Sequence, residues 1–79
     1  MLADALEHLV RGVVDHPDDV DVRDRQARHG SVLEVRVNAE DLGKVIGRGG
    51  RTATAFRTVV NALAGRGGAR VDFVDVDKR

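Results

Sequence analysis

The sequence predicts an α+β domain in which a three-stranded sheet packs against helices. Two kinds of pattern support this prediction. Some segments repeat apolar residues every three or four positions, as amphipathic helices do, and others alternate apolar with polar residues, as strands do. The segments succeed one another in the order α-β-β-α-α-β, without a low-complexity stretch between them. We therefore expect residues 1–79 to form a single domain.

The first element is an amphipathic helix predicted over residues 2–15. Its apolar residues fall on one helical face. These residues are Leu2, Leu6, Leu9, Val10 and Val13. Pro17 cannot continue a helix and disfavours helical geometry at His16, so we expect the helix to end before this proline.

Two strands are predicted next. Val20 and Val22 share one face of the first strand, and Leu33, Val35 and Val37 share one face of the second. We expect a turn at residues 29–31 (His-Gly-Ser) to join them into a hairpin. Because residues 23–28 are polar, the first strand is expected to be an edge strand.

The second half of the chain contains two predicted helices and a strand. Asn38 can cap a short helix over about residues 39–46, and a longer helix is predicted over residues 51–64. The longer helix is expected to bury Phe56, Val59, Val60 and Leu63. Gly65 stands where a left-handed residue ends many helices, and a final strand should place Ala69, Val71 and Phe73 on one face.

The charge distribution is uneven although the net charge is zero. Residues 1–42 hold ten acidic residues and five arginines, whereas residues 43–70 hold no acidic residue at all. This second stretch contains six bases: Lys44, Arg48, Arg51, Arg57, Arg66 and Arg70. Such an asymmetry indicates a polyanionic partner, and the alternative is a solvated helix with a chance excess of arginine.

The tetrapeptide Gly-Arg-Gly-Gly occurs twice in the basic stretch, at residues 47–50 and 65–68. The first copy lies directly before the predicted long helix, whose first turn offers unpaired N–H groups and the positive end of the helix dipole. This is the geometry of a phosphate site. The second copy lies between a helix end and a strand, so we assign it a structural role, although Arg66 can add to the basic field.

Several phosphate-binding motifs can be compared with the first copy. A P-loop requires Gly-Lys-Ser/Thr at its end, whereas Arg51 and Thr52 come after Gly50 here. A dinucleotide-binding motif requires a preceding strand and a third glycine at position 52. The remaining possibility is the GXXG loop that clamps about four nucleotides of single-stranded nucleic acid.

The segment "DLGKVIGRGGRTATAFRTVV" resembles the signature of KH domains. Over its whole length the chain resembles the small bacterial single-KH-domain RNA-binding proteins of the KhpA type. The resemblance implies a type II KH domain that binds single-stranded RNA with little sequence specificity. It also implies a role as an RNA chaperone or post-transcriptional regulator in the cytoplasm.

Carried over to this sequence, the resemblance implies an RNA site around the first Gly-Arg-Gly-Gly. Its residues are Lys44, Val45, Ile46, Gly47, Arg48, Gly49, Gly50 and Arg51. Lys44, Arg48 and Arg51 would meet phosphates, and Val45 and Ile46 would lie beside the groove floor. Gly49 departs from the longer polar residue that this loop position often has, so the loop offers one side chain fewer to RNA.

Alternatives to RNA binding remain open at this point. The chain could be an adaptor that acts by pairing with a protein, and the resemblance implies a homodimer or a complex with a second KH-domain protein. Phe56 and Phe73 lie on apolar faces and are expected in the core rather than as stacking platforms. The histidines are scattered and there is no cysteine, so we expect no metal, no cofactor and no enzyme activity. No membrane segment is expected either.

Overall fold

The computed structural model describes residues 1–28, 30–65 and 67–77. Its helices and strands are α1 (Leu2–Arg11), β1 (Asp21–Ala27), β2 (Gly30–Val37), α2 (Leu42–Ile46), α3 (Arg51–Ala64) and β3 (Ala69–Asp75). The predicted order α-β-β-α-α-β is confirmed. A 3₁₀ turn over Ala39–Asp41 leads into α2, and Asn38 caps it by accepting a hydrogen bond from the backbone N–H of Glu40.

The strands form one sheet in the order β1-β2-β3. β1 runs antiparallel to β2, from Asp21 opposite Arg36 to Ala27 opposite Gly30. β3 runs parallel to β2, so the chain must cross back over the sheet between them, and α2 and α3 form this crossover. β1 is therefore an edge strand, and its last five residues are exposed, as their polarity predicted.

The core lies between the sheet and the helices. Leu33, Val35 and Val37 on β2 are completely buried, as the alternation of apolar residues predicted. The helices contribute further buried residues from α1, α2 and α3. These are Leu6, Val10, Val45, Ala53, Phe56 and Val60.

The helix α1 is shorter than the predicted span of 2–15. It ends at Arg11, and Gly12 is its C-cap, donating its backbone N–H to the carbonyl group of Leu9, and the N–H of Val13 is donated to the carbonyl group of Val10. Glycine is a poor helix former, which explains why the helix stops well before Pro17. Leu9 and Val13 were expected to be buried, but they are 40% and 45% exposed.

The buried stripe of α3 is also narrower than predicted. Phe56 and Val60 are buried, but Val59 and Leu63 are 41% and 62% exposed. The third buried position is Ala53, at 1% exposure, so the stripe runs along positions 53, 56 and 60. The helix therefore presents one apolar edge to the core and leaves a second apolar edge at the surface.

Two predicted turns differ in detail. Gly30 and Ser31 belong to β2 rather than to the hairpin turn, and His29 lies outside the described residues. Gly65 does have a positive φ of 74°, but its ψ of −148° is not left-handed helical. A left-handed cap therefore does not form at this position. Arg66 also lies outside the described residues.

Candidate nucleic-acid interface

The first Gly-Arg-Gly-Gly forms a tight connection between α2 and α3. Gly47 ends α2 with φ 78° and ψ 169°, and a 3₁₀ turn over Arg48–Gly50 leads into α3. Gly49 and Gly50 also have positive φ values, 64° and 78°. Three of the four residues thus adopt conformations that L-amino acids with side chains rarely take.

Gly47 is required by close packing as well as by its backbone angles. A Cβ atom placed on Gly47 would lie 2.8 Å from both the Cβ and the backbone nitrogen of Thr52. At Gly49 and Gly50 a Cβ would meet no atom within 4 Å. The loop is therefore packed against α3 at Gly47, whereas Arg48 and Gly49 are exposed and Gly50 is partly exposed.

Arg48 and Arg51 are exposed beside this loop. Within the described part of the chain, neither side chain takes part in a hydrogen bond or an ion pair. Arg51 is the first residue of α3, so both guanidinium groups lie near the positive end of the helix dipole. They can pair with an anion without first leaving a protein partner.

Lys44 lies one turn before the loop but is already paired. Its ammonium group donates a hydrogen bond to the Asp15 carboxylate. This hydrogen bond raises the pKa of Lys44 above its usual value, with further support from the charges of Asp15, Asp41 and Glu40. A phosphate group must therefore compete with Asp15 for Lys44.

Asp41 holds Asp15 in place. Its carboxylate is 1% exposed and accepts hydrogen bonds from the backbone N–H groups of Asp15, at 3.1 Å, and His16, at 2.9 Å. Burial raises the pKa of the Asp41 carboxyl, but these two hydrogen bonds and the charges of His16 and Lys44 outweigh it and lower the pKa. The sequence placed Asp41 in a helical first turn and gave no sign that it is buried, because its partners lie far away in the chain.

Val45 and Ile46 occupy different environments. Val45 is completely buried in the core, whereas Ile46 is partly exposed next to Gly47. The side chain of Ile46 can therefore line a groove beside the loop, and Val45 can contribute only by fixing α2 on the core.

The remaining bases of the basic stretch do not gather at the loop. Arg57 donates from Nε and Nη2 to the backbone carbonyl of Val71, at 3.3 Å each, and so ties α3 to β3. Arg70 pairs with Asp72 at 3.1 Å on β3. Among the residues that the structure describes, the basic stretch thus contains two unpaired arginines at the loop, Arg48 and Arg51, and a lysine paired with an aspartate. Its other two basic residues, Arg57 and Arg70, make their contacts on β3.

Other kinds of site find little support in the described ranges. They contain no group of three or more His, Cys, Asp or Glu side chains that could hold a metal ion. They also contain no helix that is long and apolar enough to cross a membrane.

The architecture and the loop define the class of protein. A chain of the order α-β-β-α-α-β, with a β1-β2-β3 sheet and a Gly-X-X-Gly connection between its two consecutive helices, is a KH domain of type II. The chain belongs to the KhpA/KhpB family, whose KH-domain model matches residues 3–76.

Individual relatives agree with this assignment. "RNA-binding protein KhpA" of Streptomyces coelicolor is 69% identical over 77 residues, which cover 98% of this chain and 96% of that protein. The protein of the same name from Mycobacterium bovis is 60% identical over 78 residues, covering 99% and 96% of the two chains. That of Halalkalibacterium halodurans is 46% identical over 72 residues, covering 89% and 95%.

Proposed function

We propose that this protein binds single-stranded RNA at the loop formed by residues 47–50. The observation that carries the proposal is the pair of exposed, unpaired arginines, Arg48 and Arg51, beside a Gly-X-X-Gly turn in a KH domain. Relatives that share up to 69% of their residues with this chain carry the name RNA-binding protein. An RNA backbone is a polyanion, which is the partner that the acid-free stretch predicts.

The proposed roles derive from the position of each residue. The N–H groups of Gly50 and Arg51 are already donated to the carbonyl groups of Gly47 and Arg48, so the backbone N–H groups of Gly49 and of the α3 residues after Arg51 remain to face a phosphate group. The side chains of Arg48 and Arg51 neutralise its charge. Lys44 joins them when it exchanges Asp15 for a phosphate. Gly47 sets the loop angle, Ile46 lines the groove, and Val45 anchors α2 in the core. These groups read the RNA backbone rather than the bases, so binding should tolerate many sequences.

This mode of binding fits an RNA chaperone or a post-transcriptional regulator acting in the cytoplasm. Such a protein must contact many transcripts with modest affinity, and a site with about three basic side chains provides an affinity of this kind. We infer no catalytic step, since the carboxylates near the loop, Asp15 and Asp41, are engaged by Lys44 and by backbone N–H groups.

The decisive experiment is the double substitution Arg48→Asp with Gly49→Asp. Arg48 is exposed, and a side chain on Gly49 enters open space. Aspartate tolerates the left-handed backbone of Gly49 better than most residues. The fold should therefore persist while two new carboxylates repel phosphate. Fluorescence anisotropy with a labelled RNA octamer should show loss of binding, and circular dichroism should show an unchanged spectrum.

A matched control separates local repulsion from net charge. Arg23→Asp with Gln26→Asp changes the charge by the same amount on the exposed edge strand β1. This variant should retain more than half of the RNA affinity of the parent protein. Equal loss in both double variants, or full binding by the loop variant, would show that RNA is bound elsewhere or that only overall charge matters.

We further propose that two copies of the chain associate through an apolar surface on α1 and α3. A groove between the helices is lined by Met1, Leu2, Ala5 and Leu63. Leu9 and Val59 extend the same surface along the two helices and are about 40% exposed. A net charge of zero allows two copies to approach without repulsion, and a small core gains stability from such burial.

Sedimentation velocity tests this association. Leu63→Asp should convert a concentration-dependent dimer into a monomer, with the circular dichroism spectrum unchanged, because Leu63 is 62% exposed in the single chain. A parent protein that stays monomeric at millimolar concentration would refute the proposal. If Leu63→Asp abolished both dimerisation and RNA binding while the loop variant still bound RNA, the dimer surface rather than the loop would be the RNA site.

A further inference from the structure

An arginine and a phenylalanine form a cation–π pair between α3 and β3. The guanidinium carbon of Arg57 lies 5.4 Å from the centroid of the Phe73 ring. Phe73 is only partly buried, and its ring centroid lies 6.0 Å from that of Phe56 in the core. The side chain of Arg57 is exposed, so the pair forms part of the protein surface.

Arg57 is held in this position from two sides. Its Nε and Nη2 groups donate to the carbonyl of Val71, and the Phe73 ring supports its planar group. Both contacts lie on β3, which is an edge strand of the sheet. A guanidinium group fixed in advance loses little conformational freedom when a ligand contacts its open surface.

The position of the pair relative to the loop is set by α3. Gly50 precedes α3 and Arg57 lies seven residues later, which is two helical turns, so both lie on the same side of the helix. Their separation along the axis is about 10 Å at 1.5 Å per residue. Four stacked nucleotides span about the same distance, at roughly 3.4 Å per step.

We propose that the Arg57 guanidinium, supported by Phe73, is a stacking platform for one nucleobase of the RNA that the loop holds by its phosphates. The proposal rests on the proposed function and adds the place where a base, rather than a phosphate, is bound. The flat guanidinium stacks on a base, and its positive charge favours the same position.

The pair also explains how a protein without Trp or Tyr can bind bases. The sequence predicted that Phe73 packs in the core, and it showed Arg57 only as one of the basic residues in the acid-free stretch. Instead, the guanidinium carbon of Arg57 lies over the ring of Phe73, and the Arg57 side chain is exposed, so a ligand can reach it. Stacking of this kind accepts every nucleobase, because each has an aromatic surface, so it adds affinity without sequence preference.

The test compares two RNA-like ligands with the same number of phosphates. One is an octamer of uridine, and the other is an octamer of abasic ribose phosphate. The parent protein should bind the uridine octamer more tightly than the abasic one. Arg57→Lys keeps the positive charge but removes the flat group, so it should weaken uridine binding by about fivefold or more while leaving abasic binding unchanged.

Arg48→Ala is the matched control, because a side chain that binds phosphate contributes equally to the binding of both octamers. It should weaken binding of the two ligands by the same factor. If Arg57→Lys also lowered both affinities equally, or changed neither, Arg57 would not stack on a base and the inference would be wrong. If the parent protein bound neither octamer, the proposed RNA function itself would fail.

A second measurement on the parent protein avoids the risk that a variant folds poorly. Uridine rings should move the Nε–H resonance of Arg57 upfield in a heteronuclear NMR titration, whereas the abasic octamer should not. An Arg57 resonance that responds identically to both octamers would overturn the proposal, whatever the stability of the variant.

Discussion

Gly47→Ala should disrupt the loop far more than the same change at Gly49. At Gly47 the backbone angles, φ 78° and ψ 169°, lie in a region that is almost restricted to glycine, which costs about 1–3 kcal/mol for another residue. The new Cβ would also lie 2.8 Å from two atoms of Thr52, and such overpacking costs about 1–3 kcal/mol more. The total of about 2–6 kcal/mol compares with a stability of about 4–12 kcal/mol expected for a chain of this size.

Gly49 provides the matched comparison. Its backbone is left-handed helical, at φ 64° and ψ 17°, and a Cβ there meets no atom within 4 Å. Alanine should therefore cost only about 1–2 kcal/mol.

Thermal melts monitored by circular dichroism would measure both effects. Since 1 kcal/mol shifts the melting temperature of such a domain by about 4–8 °C, Gly47→Ala should lower it by at least about 8 °C. Gly49→Ala should lower it by roughly 4–16 °C, and by less than Gly47→Ala does under the same conditions. Equal melting temperatures for the two variants would refute the packing argument for Gly47.

Three further predictions concern charge and the second glycine cluster. Asp15→Asn should release Lys44 and raise RNA affinity at low salt by about two- to fivefold, because an exposed ion pair contributes little free energy. Unchanged or weaker RNA binding would contradict the pairing of Lys44 with Asp15. Folding lowers the pKa of Asp41, so its stabilising effect is complete near neutral pH and is lost as the pH falls through this lowered pKa. Asp41→Asn should therefore lower the melting temperature at pH 7. The melting temperature of this variant should also decrease less than that of the parent protein when the pH is lowered. Gly65→Val should cost about 1–3 kcal/mol, because ψ near −148° with positive φ excludes β-branched residues, while RNA affinity measured below the melting transition stays unchanged.

The order of the elements could be predicted from sequence because local signals mark each boundary. Asn38 caps the turn before α2, and the two glycine clusters separate α2 from α3 and α3 from β3. The alternation at Leu33, Val35 and Val37 predicted the buried face of β2, where residues on one side of the strand all meet the core. These features depend on neighbours within a few positions of the chain.

The exposed apolar residues could not be predicted in the same way. Periodicity shows that Val59 and Leu63 share a side of α3, but not that the core reaches only as far as Val60. How much of an apolar stripe is covered depends on the neighbouring elements, and in a small domain these cover a narrow part of each helix. An interface between two copies of the chain would require such apolar residues on α3 that the core leaves exposed.

The sequence predicted where the candidate site lies but not which of its basic side chains are already paired. Arg48 in the loop and Arg51 directly after it are exposed and unpaired among the described residues, whereas Lys44 is paired with Asp15, and Arg57 is bound to β3. Both differences arise from contacts between residues that are 29 and 14 positions apart in the chain. A count of basic residues along a sequence cannot show which of them are already neutralised or held.

The two copies of Gly-Arg-Gly-Gly differ because they lie at opposite ends of the same helix. The first precedes α3, a helix of 14 residues, so its backbone N–H groups and Arg48 lie at the positive end of the helix dipole. The second comes after the negative end of α3 and turns the chain into β3. Because Gly49 has no side chain and Lys44 is paired, the first copy has few ligands for phosphate beyond Arg48 and Arg51. If the loop binds single-stranded RNA as proposed, so few phosphate contacts call for another source of affinity, and a base stacked on Arg57 over Phe73 is the source that we propose.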